Sequence, residues 1–256
     1  NITESAETYN LAQRSTSGPL VAADFNRDGY FDIFAIGIHD PPREWGVPRF
    51  YINEAGKNFR PELAGDHGIR VDRDRGQLPY CSGSAADLDN DGQLELIFGE
   101  AYSVRVYKNE GDFQFREVAS IGTDGSQNAR FAIEDFNEDG LLDMATVSDW
   151  NGVRIIMNRT QDVNGWLEVS VNGGPGNRNG IGSRVEVFRA GAMGDLSALL
   201  GMQHVVSENQ NHVPLRLHFG LGTESTADVR VTLPTREGEV LEARGVKAGS
   251  RIVMRP

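Results

Sequence analysis

Fifteen positions in three sets of five carry the oxygen-rich chemistry of this 256-residue chain. Asp24, Asn26, Asp28, Tyr30 and Asp32 lie in Asp-Phe-Asn-Arg-Asp-Gly-Tyr-Phe-Asp. Asp87, Asp89, Asp91, Gln93 and Glu95 lie in Asp-Leu-Asp-Asn-Asp-Gly-Gln-Leu-Glu, and Asp135, Asn137, Asp139, Leu141 and Asp143 in Asp-Phe-Asn-Glu-Asp-Gly-Leu-Leu-Asp. In each copy, side-chain oxygens stand at positions 1, 3, 5 and 9, the carbonyl of position 7 supplies another, and position 6 is glycine. A hard cation takes six to eight oxygen ligands at roughly 2.3 to 2.6 Å, and alternate residues of a tight loop turn toward one centre. Glycine at position 6 allows the left-handed backbone that brings position 9 back to the ion. One such stretch reads equally well as an Asp/Asn/Gly surface turn. Three at the same phase relative to apolar strands read as calcium loops, so up to three Ca2+ ions are expected. An EF-hand differs, because its last ligand is a glutamate at position 12 and its loop joins two helices.

Other candidates are weaker. Gly180-Ile-Gly182, in the glycine-rich stretch 172–182, has neither a following helix nor Lys-Ser/Thr, so it reads as a hairpin turn rather than a phosphate loop. His67, His204, His212 and His218 show no metal-ligand spacing, and no Gly-x-Ser-x-Gly nucleophile motif is present. General acid and base work needs paired groups with separated pKa values, and the sequence shows no such pair. The expectation is therefore a non-catalytic protein.

Composition narrows the class. No stretch approaches the eighteen apolar residues of a membrane span. The net charge of -12 lies entirely within residues 1–160, the part that carries the loops, and the remainder is neutral. Clustered carboxylates repel one another without a cation. Nucleic acid is excluded as a partner, since neither part offers a basic patch. The lone Cys81 excludes an internal disulfide and fits a secreted or periplasmic bacterial protein better than a vertebrate extracellular module. Asn1 follows no basic and apolar leader, so a removed or omitted signal peptide is expected. The sequons Asn1-Ile-Thr3 and Asn158-Arg-Thr160 matter only in a glycosylating host.

The elements that position the loops repeat with them. Leu20–Ala23, Ser84–Ala86 and Phe131–Ile133 precede the loops, while Ile33–Ile36, Leu94–Phe98 and Leu141–Val147 follow them. Third runs at Arg49–Ile52, Val104–Tyr107 and Val153–Met157 end at Asn53, Asn109 and Asn158. Fourth runs begin at Asn58 and Phe113 in the first two units, whereas the third passes straight into Gln161–Gly165. Asn1–Glu7 has the look of the fourth strand of a blade whose other strands are absent. Antiparallel four-stranded units spaced by 63 and then 48 residues read as propeller blades.

The pattern Ala-Asp-Phe-Asn-x-Asp-Gly-x-x-Asp followed by an apolar strand resembles the FG-GAP/VCBS repeats of integrin-type β-propellers, and the resemblance implies that this loop binds calcium. From Trp166 the pattern changes to alternating strands at 166–171, 184–188, 204–206, 215–219, 229–233, 240–242 and 251–254. Trp166-Leu, Asn177-Arg-Asn-Gly-Ile-Gly-Ser-Arg-Val185, Leu217-His-Phe-Gly-Leu-Gly222 and Val229-Arg-Val-Thr-Leu-Pro234 resemble the ASPIC and UnbV domain found in the cartilage acidic protein family and in bacterial relatives. Relatives often carry His-Gly before the first strand of a blade, where this chain has Ser17-Gly18 and Ser82-Gly83.

The expected fold is thus all-β. It is a partial propeller of three four-stranded blades with calcium loops over residues 1–163, then a small β-sandwich or barrel domain over 164–256. Three blades are too few for a ring of typically four to eight. The rest would come from a protein partner or second chain completing the propeller, unless the blades form an open arc. The connections opposite the loops gather His39, Asp40, Arg43, Trp45, Glu100, Tyr102, Asp149 and Trp150, a mixture suited to a polysaccharide or to another protein's loop, although the two Trp rings packing under their own loops is the simpler reading. The leading expectation is an extracytoplasmic, calcium-binding interaction module for adhesion, assembly or carbohydrate contact. The alternatives are a saccharide lyase or hydrolase acting on that opposite face, and a structural subunit of a larger complex.

Overall fold

The computed structural model describes residues 19–40, 44–70, 82–100, 102–123, 130–148, 152–161, 164–206 and 215–256, with the side chains of 37–40, 44–47 and 148 excepted. Asn1–Glu7 and Cys81 lie outside this set. The first blade is the antiparallel sheet β1 (Leu20–Ala23), β2 (Asp32–Asp40), β3 (Glu44–Asn53) and β4 (Phe59–Leu63). The second is β5 (Ser82–Ala86), β6 (Glu95–Glu100), β7 (Ser103–Asn109) and β8 (Phe115–Gly122). The third has three strands among the described residues, β9 (Arg130–Glu134), β10 (Asp143–Ser148) and β11 (Gly152–Ile156). Helical structure among the described residues is limited to short 3-10 turns at Ala64–His67 and Leu196–Ala198.

The same register recurs in each blade, because alternation along the strands leaves one way to bury both faces. Phe34 pairs with Phe50, Ile97 with Val106, and Ala145 with Ile155. The face carrying Phe34 and Phe50 packs against Leu96, Phe98, Tyr107, Phe113 and Phe115 of the second blade. Phe50 stacks on Phe115 with centroids 5.2 Å apart, and Phe34 lies 6.0 Å from Phe98. Such aromatic pairs contribute about 0.5–1.5 kcal/mol each beyond their buried area. The opposite face of the second blade, with Ile97, Val104 and Val106, packs against Phe131, Ile133, Leu142 and Met144 of the third. The core of the array is therefore a series of apolar layers between successive blades.

Two expectations change. The connection carrying His39, Asp40 and Trp45, expected between the second and third runs of the first unit, is largely a hairpin extension: Asp40 pairs with Glu44 and Ile38 with Val47, with irregular register between Ala35 and Asp40. Pro48 and Gly46 concealed this, since both weaken a strand signal, and bulges accommodate them. The strand expected at 204–206 lies earlier, at β14 (Leu199–His204). Gly201 interrupts the apolar run there, and Val205 lies just past the strand end, where its N–H donates to the Ser183 carbonyl at 2.9 Å.

The rest of the C-terminal part is β12 (Gly165–Val171), β13 (Arg184–Arg189), β15 (Arg216–Gly222), β16 (Thr226–Thr232), β17 (Val240–Lys247) and β18 (Ser250–Met254). Sheet β15-β12-β18, in which β12 and β18 run parallel, faces sheet β14-β13-β16-β17. Leu167, Val169, Leu217 and Phe219 from one sheet meet Val185, Val187, Val229 and Val231 from the other. The result is a sandwich, not a barrel.

Candidate metal loops and the domain seated on them

Each nine-residue loop joins the first strand of its blade to the second, and backbone amides fold it around its own carboxylates. The position-6 glycine N–H donates to the position-1 carboxylate: Gly29 to Asp24 at 2.9 Å, Gly92 to Asp87 at 2.8 Å, Gly140 to Asp135 at 2.9 Å. The position-2 N–H donates to the position-9 carboxylate: Phe25 to Asp32 at 3.2 Å, Leu88 to Glu95 at 2.7 Å, Phe136 to Asp143 at 3.1 Å. The glycines have φ of 85°, 87° and 89°. Position 4 is also left-handed, with Arg27, Asn90 and Glu138 at 58°, 59° and 61°. That second turn was not legible from residue type, because only Asn among the three favours it.

The second loop differs in charge and in partners. In loops one and three the other position-9 oxygen accepts from the Asn that ends the third strand, Asn53 N–H to Asp32 at 2.8 Å and Asn158 N–H to Asp143 at 2.7 Å. Glu95 is one methylene longer, and its Oε1 is buried without a hydrogen-bond partner, as are Asp87 Oδ1 and Asp89 Oδ1. One oxygen from each of these three residues lies within 4.8 Å of the others. Burial pushes the Asp87 carboxyl up to about 8 and the Glu95 carboxyl up to about 9, with repulsion from neighbouring carboxylates adding to both. Burial likewise raises Asp24 to about 6 and Asp32 to about 7. Buried, unpartnered carboxylate oxygens on residues this close together suit a hard divalent cation, and the all-oxygen donor set fits calcium. Asp87, Asp89, Asp91, Glu95 and the Gln93 carbonyl are the groups that would hold it.

Of the residues expected on the opposite face, Arg43, Asp149 and Trp150 lie outside the described residues. His39, Asp40 and Trp45 lie in β2 and β3, with side chains outside the description. Glu100 is buried, and its Oε1 accepts from Arg105 Nε at 2.6 Å and Ser103 Oγ at 3.1 Å. Tyr102 is 41% exposed.

Comparison with known proteins agrees with the loops and the sandwich. Residues 87–146 match the FG-GAP-like repeat, and residues 173–256 match the ASPIC and UnbV family. The chain joins an FG-GAP-like repeat to an ASPIC and UnbV domain. No curated protein matches it. A solved structure of an Agrocybe aegerita lectin, described for specific recognition of non-reducing terminal N-acetylglucosamine, aligns with TM-score 0.35 and 13% identity over 96% of this chain and 66% of that chain. A likeness at that score carries no argument about this chain.

The ASPIC and UnbV domain sits directly on all three loops, which its sequence did not reveal. At loop one, Arg184 Nη2 donates to the Gly29 carbonyl at 2.9 Å and to Glu186 at 2.8 Å. At loop two, the Gly222 N–H donates to the Asn90 carbonyl at 2.8 Å, and His218 Nε2 lies 2.6 Å from Asn90 Oδ1. Burial holds His218 neutral, its pKa lowered to about 4, so Nε2 is the donor in that contact. At loop three, Arg251 reaches Asp135 at 3.1 Å, Glu138 at 3.3 Å and Glu168 at 2.8 Å, with its guanidinium 5.3 Å from the Trp166 ring centre. Two glycines permit the approach. A methyl at Gly140 would overlap the Trp166 indole, and one at Gly220 would overlap Asp87 and Asn90. Asn90 also ties loops together, its Nδ2 donating to the Gly140 carbonyl at 2.9 Å.

Proposed function

We propose that the chain is a calcium-stabilised, non-catalytic interaction module of extracellular type, in which bound ions fix the blades and the seat of the C-terminal domain. The three unpartnered, buried carboxylate oxygens of Asp87, Asp89 and Glu95 carry this reading. Left alone, buried anions of this kind cost several kcal/mol, and a cation offsets that cost. Loops one and three hold calcium on the same pattern, through Asp24, Asn26, Asp28, Tyr30 and Asp32, and through Asp135, Asn137, Asp139, Leu141 and Asp143. Titration calorimetry of calcium into chelator-stripped protein tests the reading: heat of binding lost in Glu95→Gln supports it, and no uptake by the native chain refutes it. No helix among the described residues is long and apolar enough to cross a membrane, and the FG-GAP-like repeat is of a kind typical of extracellular proteins.

The partner is a further blade of the same repeat type. The face of the second blade that bears Ile97, Val104 and Val106 is covered by the third blade. The matching face of the third bears Val147, Val153 and Ile155 at 44%, 72% and 56% exposure. Repetition of the internal interface specifies the covering surface: a sheet face rich in Phe, Leu and Ile, such as the third blade presents to the second. At the other end Leu20, 67% exposed, occupies the place of the buried Phe131. Contact with a glycan or protein on the face opposite the loops is the remaining part of the proposal, tested by glycan-array binding.

A further inference from the structure

The second loop carries four carboxylates at ligand positions, Asp87, Asp89, Asp91 and Glu95, where the first and third carry three. It also has a cation of its own. Lys108 Nζ contacts Asp89 Oδ2 and lies 3.0 Å from Asp91 Oδ2. Lys108 stands on β7 immediately before Asn109, and the residues before the equivalent Asn53 and Asn158 are Ile52 and Met157. The extra acid and the lysine therefore occur together, in the same one of three repeats.

Charge balance makes sense of the pairing. Four carboxylates and one ammonium leave the second loop three net negative charges, against two for the first, where Asp24, Asp28 and Asp32 stand with Arg27. In the third loop the additional Glu138 is offset by Arg251, which contacts both it and Asp135. Arg27 of the first loop approaches Gly92, and the ion pairs of the second-loop carboxylates among the described residues are those to Lys108. Lys108 leaves one oxygen of Asp89 unpartnered. It takes Oδ2 of Asp89, while Asp89 Oδ1 remains buried and unpartnered, as do Asp87 Oδ1 and Glu95 Oε1.

We propose that Lys108 is the resident counter-cation of the second loop, which sets that loop's ion selectivity by offsetting one of its four carboxylates. The proposal rests on the calcium reading above. A fixed positive charge near the cage repels a bound ion in proportion to the ion's own charge. Its removal therefore tightens every cation and favours the more highly charged. The test is calorimetry of calcium and of terbium with the full chain, native and Lys108→Met, the latter placing the residue of the third blade at this position. Glu95→Gln identifies the part of each isotherm that belongs to the second loop.

The expected result is a gain of about tenfold for calcium and about thirtyfold for terbium in Lys108→Met, the ratio following from the two ionic charges. Lys108→Arg should stay within about twofold of native for both, because it retains the charge. Unchanged affinities in Lys108→Met would overturn the proposal, and so would a fall in both, which would make the lysine a strut for Asp89 and Asp91. Lys108→Gln, read in saturating calcium, serves if the methionine variant does not fold. Native protein that bound neither ion would instead refute the calcium reading itself.

Discussion

At the scale of single residues, the buried carboxylates of the loops hold their protons far above the ordinary value near 4 when no metal is bound. Asp24, Asp32, Asp87 and Glu95 stand at about 6, 7, 8 and 9. The metal-free folded chain therefore binds protons that the unfolded chain has released, and its stability falls as pH rises through that range. In chelator the melting midpoint should be highest near pH 5 and drop toward pH 9. Calcium holds the same groups ionised, so the decline should vanish or reverse in its presence. Differential scanning calorimetry at both conditions checks this, and a chelated midpoint that rose from pH 5 to pH 9 would contradict it.

At the scale of elements, the blades are coupled by asparagine. Asn109, fully buried at the end of β7, donates from Nδ2 to the Phe25 carbonyl of the preceding loop at 3.0 Å. Asn158 repeats this at the end of the third blade, donating to the Leu88 carbonyl at 2.6 Å and to Leu142 of its own loop at 3.1 Å. Asn53 bonds the corresponding carbonyl of its own loop, Phe31, at 2.9 Å. Asn109→Ala leaves a buried carbonyl without its donor and should cost about 1–3 kcal/mol, measured by urea unfolding in calcium. An effect below about 0.5 kcal/mol would mean that apolar packing alone sets the blade angle. The strands themselves were legible, because period-two alternation around a fixed Asp/Asn/Gly pattern leaves little freedom of register. The asparagines were visible only as a recurring strand ending, and their partners lie one blade away, beyond any local signal. Lys108 left a fainter trace as a charge where Ile52 and Met157 stand.

At the scale of the molecule, one surface covers the loops and another lies exposed at the end of the blade array. The ASPIC and UnbV domain closes over them through Arg184, His218, Gly220 and Arg251, a contact that sequence could not expose because its residues belong to patterns that also read as ordinary strands. The outer face of the third blade was partly legible, since the missing fourth run after Met157 already marked an unfinished array. Placing Asp at both Val153 and Ile155 should leave the midpoint of the chain nearly unchanged, because both side chains are exposed. The same pair should abolish any association seen by light scattering. A large loss of stability would show instead that the face is covered within the chain.

The loops lie between buried strands and beneath the second domain, so their ions should hold the two parts of the chain together. Thermal unfolding of the native chain in calcium and in excess chelator at neutral pH tests this most directly. A bound ligand stabilises by about 2.7 kcal/mol at a hundred times its dissociation constant. The account predicts one cooperative transition in calcium, and in chelator a midpoint lowered by several degrees with the repeat and the sandwich no longer melting together. Coincident midpoints with and without calcium would contradict it.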